Sequence, residues 1–280
     1  MEGAFLMRQL GSDALRYVLI VLGAVVLATP LFFMVSGSLK SAAEINAFPP
    51  TLLPSTPVWQ NFHQAWDYLT PRVIANSFIF SIGILGLQLL VSLPAAFALA
   101  KIPFRWTAVI LTMLVVPMFV PANLTLIPLF IVTFKLGWLN SFAGLIIPMA
   151  AQCAFAVLLF RQFFVGLPSG LIEAARIDGA SWLRVFRSIA LPLVGPALAT
   201  YCSISFLTAW NMYIWPQIIA PNPAQKVINV ALAPLAGGQN SMISPSVGLA
   251  GAVIAMVPVL LVFVVFQKWY IKGVVGTGLE

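Results

Sequence analysis

Charge is what this chain has least of. Only 8% of its 280 residues are Asp, Glu, Lys or Arg, against roughly 25% in a soluble domain. Hydrophobic residues make up 61%. No soluble fold hides that much apolar surface, so the class is an integral membrane protein. Histidine is nearly absent: His63 is the single one, in a polar loop without an evident catalytic partner. Cysteine occurs twice, as Cys153 and Cys202, both inside apolar runs. There it reads as a small buried hydrophobe, and the spacing offers neither a metal site nor a disulfide framework. A Gly-x-x-x-x-Gly-Lys-Ser/Thr phosphate loop is also missing, so the chain does not hold ATP in that way. The net charge of +7 does not imply nucleic acid. The bases flank apolar runs, as they do where charge sets membrane topology.

Long uncharged runs are what the chain has instead. Six exceed the ~20 residues that a spanning helix needs. They lie within Tyr17–Leu39, Val73–Ala100, Trp106–Phe134, Leu136–Phe160, Ser188–Gln225 and Val227–Phe266. The last two are longer than a span and must share a loop. Asn222-Pro223 and Gly237-Gly238-Gln239-Asn240 mark it, and a helical hairpin between residues 220 and 245 at the membrane surface is expected. The first run is too long for the apolar core of a signal peptide, and is read as retained.

With the N-terminus inside, the inner segments carry Arg8, Arg16, Lys101, Arg105, Arg161, Arg176, Arg184, Arg187, Lys268 and Lys272. The outer ones carry Lys40, Arg72, Lys135 and Lys226, ten bases against four. Both termini are therefore expected in the cytoplasm. Prolines interrupt the spans at Pro94, Pro117, Pro121, Pro128, Pro148, Pro196, Pro216 and Pro258. Each removes a backbone donor and bends its helix. Three fall in the third run, around Asn123 and Thr125. That region is either a wall of the transport pathway or a set of kinks that shape helix packing.

The longest charge-bearing interruption runs from Gly166 to Ser188. Pro168 and Ser169 can start a helix there. Leu171, Ile172, Ala174 and Ala175 give it a small apolar face, with Glu173, Arg176 and Asp178 beside it. Gly179 is placed to end it in the left-handed conformation, and Ser181 to cap a second helix. In that second helix Trp182, Val185, Phe186 and Ile189 form one apolar stripe, while Arg184 and Arg187 point elsewhere. Pro192 follows near the start of the next span, where a missing donor matters least. On physics alone the element is either an interfacial helix that stitches two spans or a docking element for something outside the membrane.

Glu173-Ala174-Ala175, three residues, Gly179, nine residues, then Ile189-x-Leu191-Pro192 is similar at every fixed position to the EAA loop of permease subunits of binding-protein-dependent ABC importers. Further residues resemble the sugar-type members, in particular the second permease of maltose and glycerol-3-phosphate systems. They are Ser38-Leu39-Lys40, Pro49-Pro50, Pro54, Asn61, Asn76-Ser77, Leu167-Pro168, Trp210-Asn211, Trp215-Pro216 and Lys272-Gly273. The resemblance covers essentially the whole chain.

It implies an all-α polytopic fold of six transmembrane helices, the type I importer permease fold, as one permease domain over 1–280 in a bacterial inner membrane. The first helix of the loop would be a coupling helix. Glu173, Ala174, Ala175, Arg176, Asp178, Gly179, Ile189, Leu191 and Pro192 would transmit force from a partner's ATP cycle. The implied partners are a second permease subunit, two ATP-binding subunits, an extracytoplasmic solute-binding protein and membrane lipid. No cofactor is expected on this chain, ATP and Mg being used by the partners. The C-terminus departs from many relatives: it ends Gly276-Thr277-Gly278-Leu279-Glu280, so no regulatory tail contact is carried over.

For the substrate pathway the sequence suggests Asn123, Thr125, Trp210, Asn211 and Tyr213. Amides and aromatic faces suit sugar hydroxyls; the same aromatics also suit an interfacial belt. A secondary carrier is disfavoured because no charge lies inside the six runs. An intramembrane Ser–His enzyme is disfavoured because Ser169 and His63 fall on opposite sides of the membrane.

Overall fold

The computed structural model describes residues 2–235 and 243–276, without the side chains of 2–14, 122 and 269–276. The described elements are all helical. Among the described residues three helices are long and apolar enough to cross a membrane: Leu15–Ser38 at the end of α1 (Glu2–Ser38), α4 (Pro71–Lys101) and Pro245–Lys268 in α15 (Pro245–Gly276). Three bent pairs bring the number to six if each is one span. Between α1 and α4 lie α2 (Ala42–Ile45) and α3 (Gln60–Leu69).

The bends replace several spans expected as single helices. The third run is broken into α5 (Thr107–Val115) with a 3-10 turn at Val116–Phe119, and α6 (Ala122–Lys135). The two parts meet at 105°. Pro117 and Pro121 sit at this join and remove two donors from what would be one helix. The fourth run becomes α7 (Phe142–Ala150) and α8 (Ala154–Val165), bent by 46°.

After α9 (Ser169–Ile177), α10 (Trp182–Val185) and α11 (Leu191–Leu193), the fifth run begins as a span only at α12 (Gly195–Trp210), 76° from the segment before it. It then ends early, in α13 (Ile214–Ile219). The hairpin expected at 220–245 is a 3-10 turn at Pro223–Gln225 and the five-residue α14 (Ile228–Leu232). Gly237-Gly238-Gln239-Asn240 lie outside the described residues, as do Thr277–Glu280.

The chain divides into two compact units, residues 1–69 with 232–256 and residues 70–231 with 257–280. In the first, α1 is exposed and without charge from Tyr17 to Phe33, a surface that only lipid or protein can cover. A small core joins Phe62 and Ala65 of α3 to Leu235, Val247 and Ala250. The loop after α1 is tied by side chains. Asn61 Nδ2 donates to the carbonyls of Ser38 and Lys40, both at 2.9 Å, and buried Lys40 donates to the Thr51 carbonyl. Glu44 accepts from the N–H and hydroxyl of Ser55, and the backbone bond holds its carboxyl below the usual range.

The second unit is organised by α4, which packs along α7, α8 and α12. One cluster centres on Phe160, Phe164, Val185 and Val194, another on Phe80, Leu145, Trp215 and Ile219. At one end, two cations exchange partners across the bundle. Lys101 of α4 donates to the Leu167 carbonyl at 2.7 Å and to that of Val165 at 3.3 Å, while Arg161 of α8 donates to Leu99 of α4 at 3.3 Å. Each satisfies carbonyls that a helix end leaves open.

Gly144 of α7 lies against the turn before it. A Cβ there would stand 2.2 Å from the Trp138 carbonyl oxygen, whereas one at Gly86 of α4 would meet nothing within 4 Å. Gly144→Ala is expected to cost about 1–3 kcal/mol through forced backbone movement. Gly86→Ala should gain ~0.5–1 kcal/mol from helix propensity. Thermal unfolding in detergent should move the two midpoints in opposite directions.

Candidate functional site

The charged segment folds as two helices around a glycine, as its sequence indicates. α9 starts after Pro168 and ends in a Schellman turn. The Gly179 N–H bonds the Arg176 carbonyl at 3.1 Å, and the Ala180 N–H bonds that of Ala175 at 2.9 Å. Gly179 has φ +80°, and open space surrounds the place a Cβ would take. Glycine is therefore required by the backbone rather than by packing. Arg176 closes the turn, donating to the Ala180 carbonyl at 2.7 Å with its guanidinium 4.7 Å above the Trp182 ring. Ser181 caps the next helix by accepting from the Arg184 N–H.

The faces of α9 differ from the expected single apolar face. Ile172 is buried and Ala175 half-buried against the bundle. Glu173 and Ala174 are exposed, and so are Leu171 at 49% and Ile177 at 85%. The helix thus has a root face of Ile172 and Ala175. An outward face carries Leu171, Ala174, Ile177 and Asp178 with no cover from this chain.

The second helix departs from regular α geometry. Residues Phe186–Ala190 form a π-turn, and the Leu191 N–H reaches back to the Phe186 carbonyl. Pro192 is the cause: it has no N–H to return to Ser188, and its ring crowds that carbonyl, so the turn before it widens. Val185 is buried and Trp182, Phe186 and Ile189 are half-buried, so the stripe is present. The π-turn adds Ala190, also fully buried. Leu191 packs on the same core, and Pro192 is exposed. Arg184 and Arg187 are exposed.

The suggested pathway residues differ in their surroundings. Asn123 and Thr125 are exposed on α6, Asn211 is exposed after α12, and Tyr213 is 38% exposed. Trp210 is 3% exposed and stacks on Phe206, with Phe78 edge-on beside it. Its carbonyl receives the Asn229 side chain.

A different polar cluster lies between α4 and α12. The Oε1 of Gln88 accepts from the Tyr201 hydroxyl at 2.8 Å and the Ser205 hydroxyl at 2.7 Å. Its Nε2 donates to the Met149 carbonyl at 3.5 Å. The three side chains border a cavity of about 190 Å³, which Asn123, Thr125, Trp210, Asn211 and Tyr213 do not line. A reading that looks for charges and prolines passes over this cluster. The signal was present as glutamine and tyrosine inside apolar runs, where each needs a partner.

Comparison with known proteins fits this geometry. The sn-glycerol-3-phosphate transport system permease protein UgpE of Pectobacterium atrosepticum is 31% identical over 281 residues, spanning 95% of this chain and 97% of that protein. Its namesake in Brucella abortus is 29% identical over 274 residues, with the same coverage. Among solved structures, a bacterial ABC transporter involved in import of the acidic polysaccharide alginate superposes with TM-score 0.79 and 26% identity. That match covers 92% of this chain and 96% of the matched one. The inward-facing MetNI methionine transporter shares the fold alone, at TM-score 0.56 and 16% identity over 72% of this chain and 94% of that one. Residues 88–276, which hold the whole charged loop and the spans packed on it, match the model of the binding-protein-dependent transport system inner membrane component. The chain belongs to that family, as a membrane-embedded transport subunit of an ABC importer rather than an enzyme.

Proposed function

We propose that this chain is one of two unlike permease subunits of an ATP-driven importer for a sugar or a glycerol-phosphate-like solute. An external binding protein delivers the solute, and two separate ATPase subunits drive the cycle. The relatives named for sn-glycerol-3-phosphate and for alginate support the substrate range. The permease acts as one domain over 1–280 and binds no cofactor of its own; ATP and Mg stay with the ATPases. Both termini face the cytoplasm of a bacterial cell, a reading supported by ten bases against four when the N-terminus is placed inside.

The observation that carries this reading is the outward face of α9. Leu171 and Ile177 are exposed on a helix whose other face is rooted in the bundle and whose end is fixed by Gly179. An apolar ridge of that size at a membrane-protein surface fits a groove on a partner. Glu173, Ala174, Asp178 and Arg176 surround it. Closure of the ATPase pair then moves α9, and α10, the π-turn and α12 follow through the core they share with it. The cavity between permeases alternates its opening, a rigid-element switch.

Leu171→Asp with Ile177→Asp should abolish capture of the ATPase subunit by the tagged permease, with membrane abundance unchanged. Equal capture by variant and wild type would sink the docking role. The Gly179 backbone gives a second, graded expectation. A side chain at φ +80° costs about 1–2 kcal/mol for most residues and less for Asn. ATP-driven uptake should therefore fall in the order Gly179, Gly179→Asn, Gly179→Val. Uptake unaffected by Val would remove the turn from the coupling path.

A further inference from the structure

Gln88 is 8% exposed, in an uncharged span. An amide at such depth needs its hydrogen bonds made within the protein. Three are made, yet valences remain: one Nε2 hydrogen and the lone pairs of the Tyr201 and Ser205 hydroxyl oxygens. These atoms border the cavity. Its mouth carries Gln152 and Thr208, both exposed, and the half-exposed ring of Phe155, which lies 6.4 Å from that of Tyr201. The site therefore offers donors, acceptors and an aromatic face, the set that suits a hydroxyl-bearing ring.

Two further properties restrict the ligand. None of the lining residues carries a charge at neutral pH, and an anion held there without a cation would be heavily penalised. The volume, about 190 Å³, is below the ~300–1,000 Å³ of a complete small-molecule site. It receives one face of a solute rather than enclosing it. We infer that Gln88, Tyr201 and Ser205, with Phe155 at the rim, form a half-site in this subunit for the hydroxyls of an uncharged sugar or polyol. Phosphate and carboxylate are not accommodated. The inference rests on the importer reading and narrows its substrate from sugar-or-phosphate to the neutral class.

The test uses the whole importer, permease pair, ATPases and binding protein, in proteoliposomes. The solutes are maltose, trehalose, sorbitol, sn-glycerol 3-phosphate and galacturonate. At least one uncharged solute should accumulate with ATP. Gln88→Met, which keeps the length and removes the amide, should raise its KM about tenfold, the worth of one hydrogen bond. Tyr201→Phe and Ser205→Ala should each raise it about threefold. Capture of the ATPase should stay at the wild-type level in all three. Accumulation of the anions alone, of nothing on the panel, or an unchanged KM in all three variants overturns the half-site. Loss of ATPase capture by wild type would strike the importer reading instead, so the two failures are distinguishable.

Discussion

Every break in a membrane helix exposes backbone carbonyls and N–H groups that lipid cannot satisfy, and this chain breaks its helices often. Several of its polar side chains are committed to that task. Lys101 and Arg161 bond carbonyls at the ends of each other's helices. The Trp215 indole donates to the Leu145 carbonyl at 3.2 Å. Asn76 serves the carbonyls of Ala224 and Lys226, both at 3.0 Å. Ser77 accepts from the Ile228 N–H at 2.7 Å. Polar side chain to backbone is the common grammar, and it frees the chain to bend without exposing a bare peptide group.

The same rule explains where rigidity and motion are placed. α4 passes through the second unit as one helix, with α7, α8 and α12 against it. Its neighbours are the segments that bend. The charged loop hangs from this frame through Ile172, Val185 and Ala190, all buried in one aromatic-rich cluster with Phe97, Phe160 and Phe164. A push on the outward face of α9 therefore reaches a packed core rather than a slack linker, and packed cores pass displacement on.

Much of this was legible in the residues. Apolar runs gave the spans because length and absence of charge are direct consequences of bilayer thickness. Gly179 and Ser181 gave their turn and cap because few residue types tolerate those positions. What escaped was set by contacts distant in sequence. The 105° break at Pro121 and the early end of the fifth span could not be told from kinks, since proline reports a lost bond and not the angle that results. The outward turn of Leu171 and Ile177 depends on which face the bundle claims, and periodicity alone leaves that open. The burial of Trp210 is set by Phe206 stacked on it and by Phe78, edge-on from a helix distant in sequence. Gln88 was missed because its partners lie 113 and 117 residues away.

The π-turn at Phe186–Ala190 has a consequence for how the sequence can change. It already holds one residue more than an α-turn, fixed by Pro192 at one end and by the Gly179 turn at the other. Adding one residue between them would rotate everything beyond it by roughly 100°, taking Val185 or Ala190 out of the core. The distance from glycine to proline is thus a mechanical length, and single-residue insertions there should be the least tolerated of any in the loop.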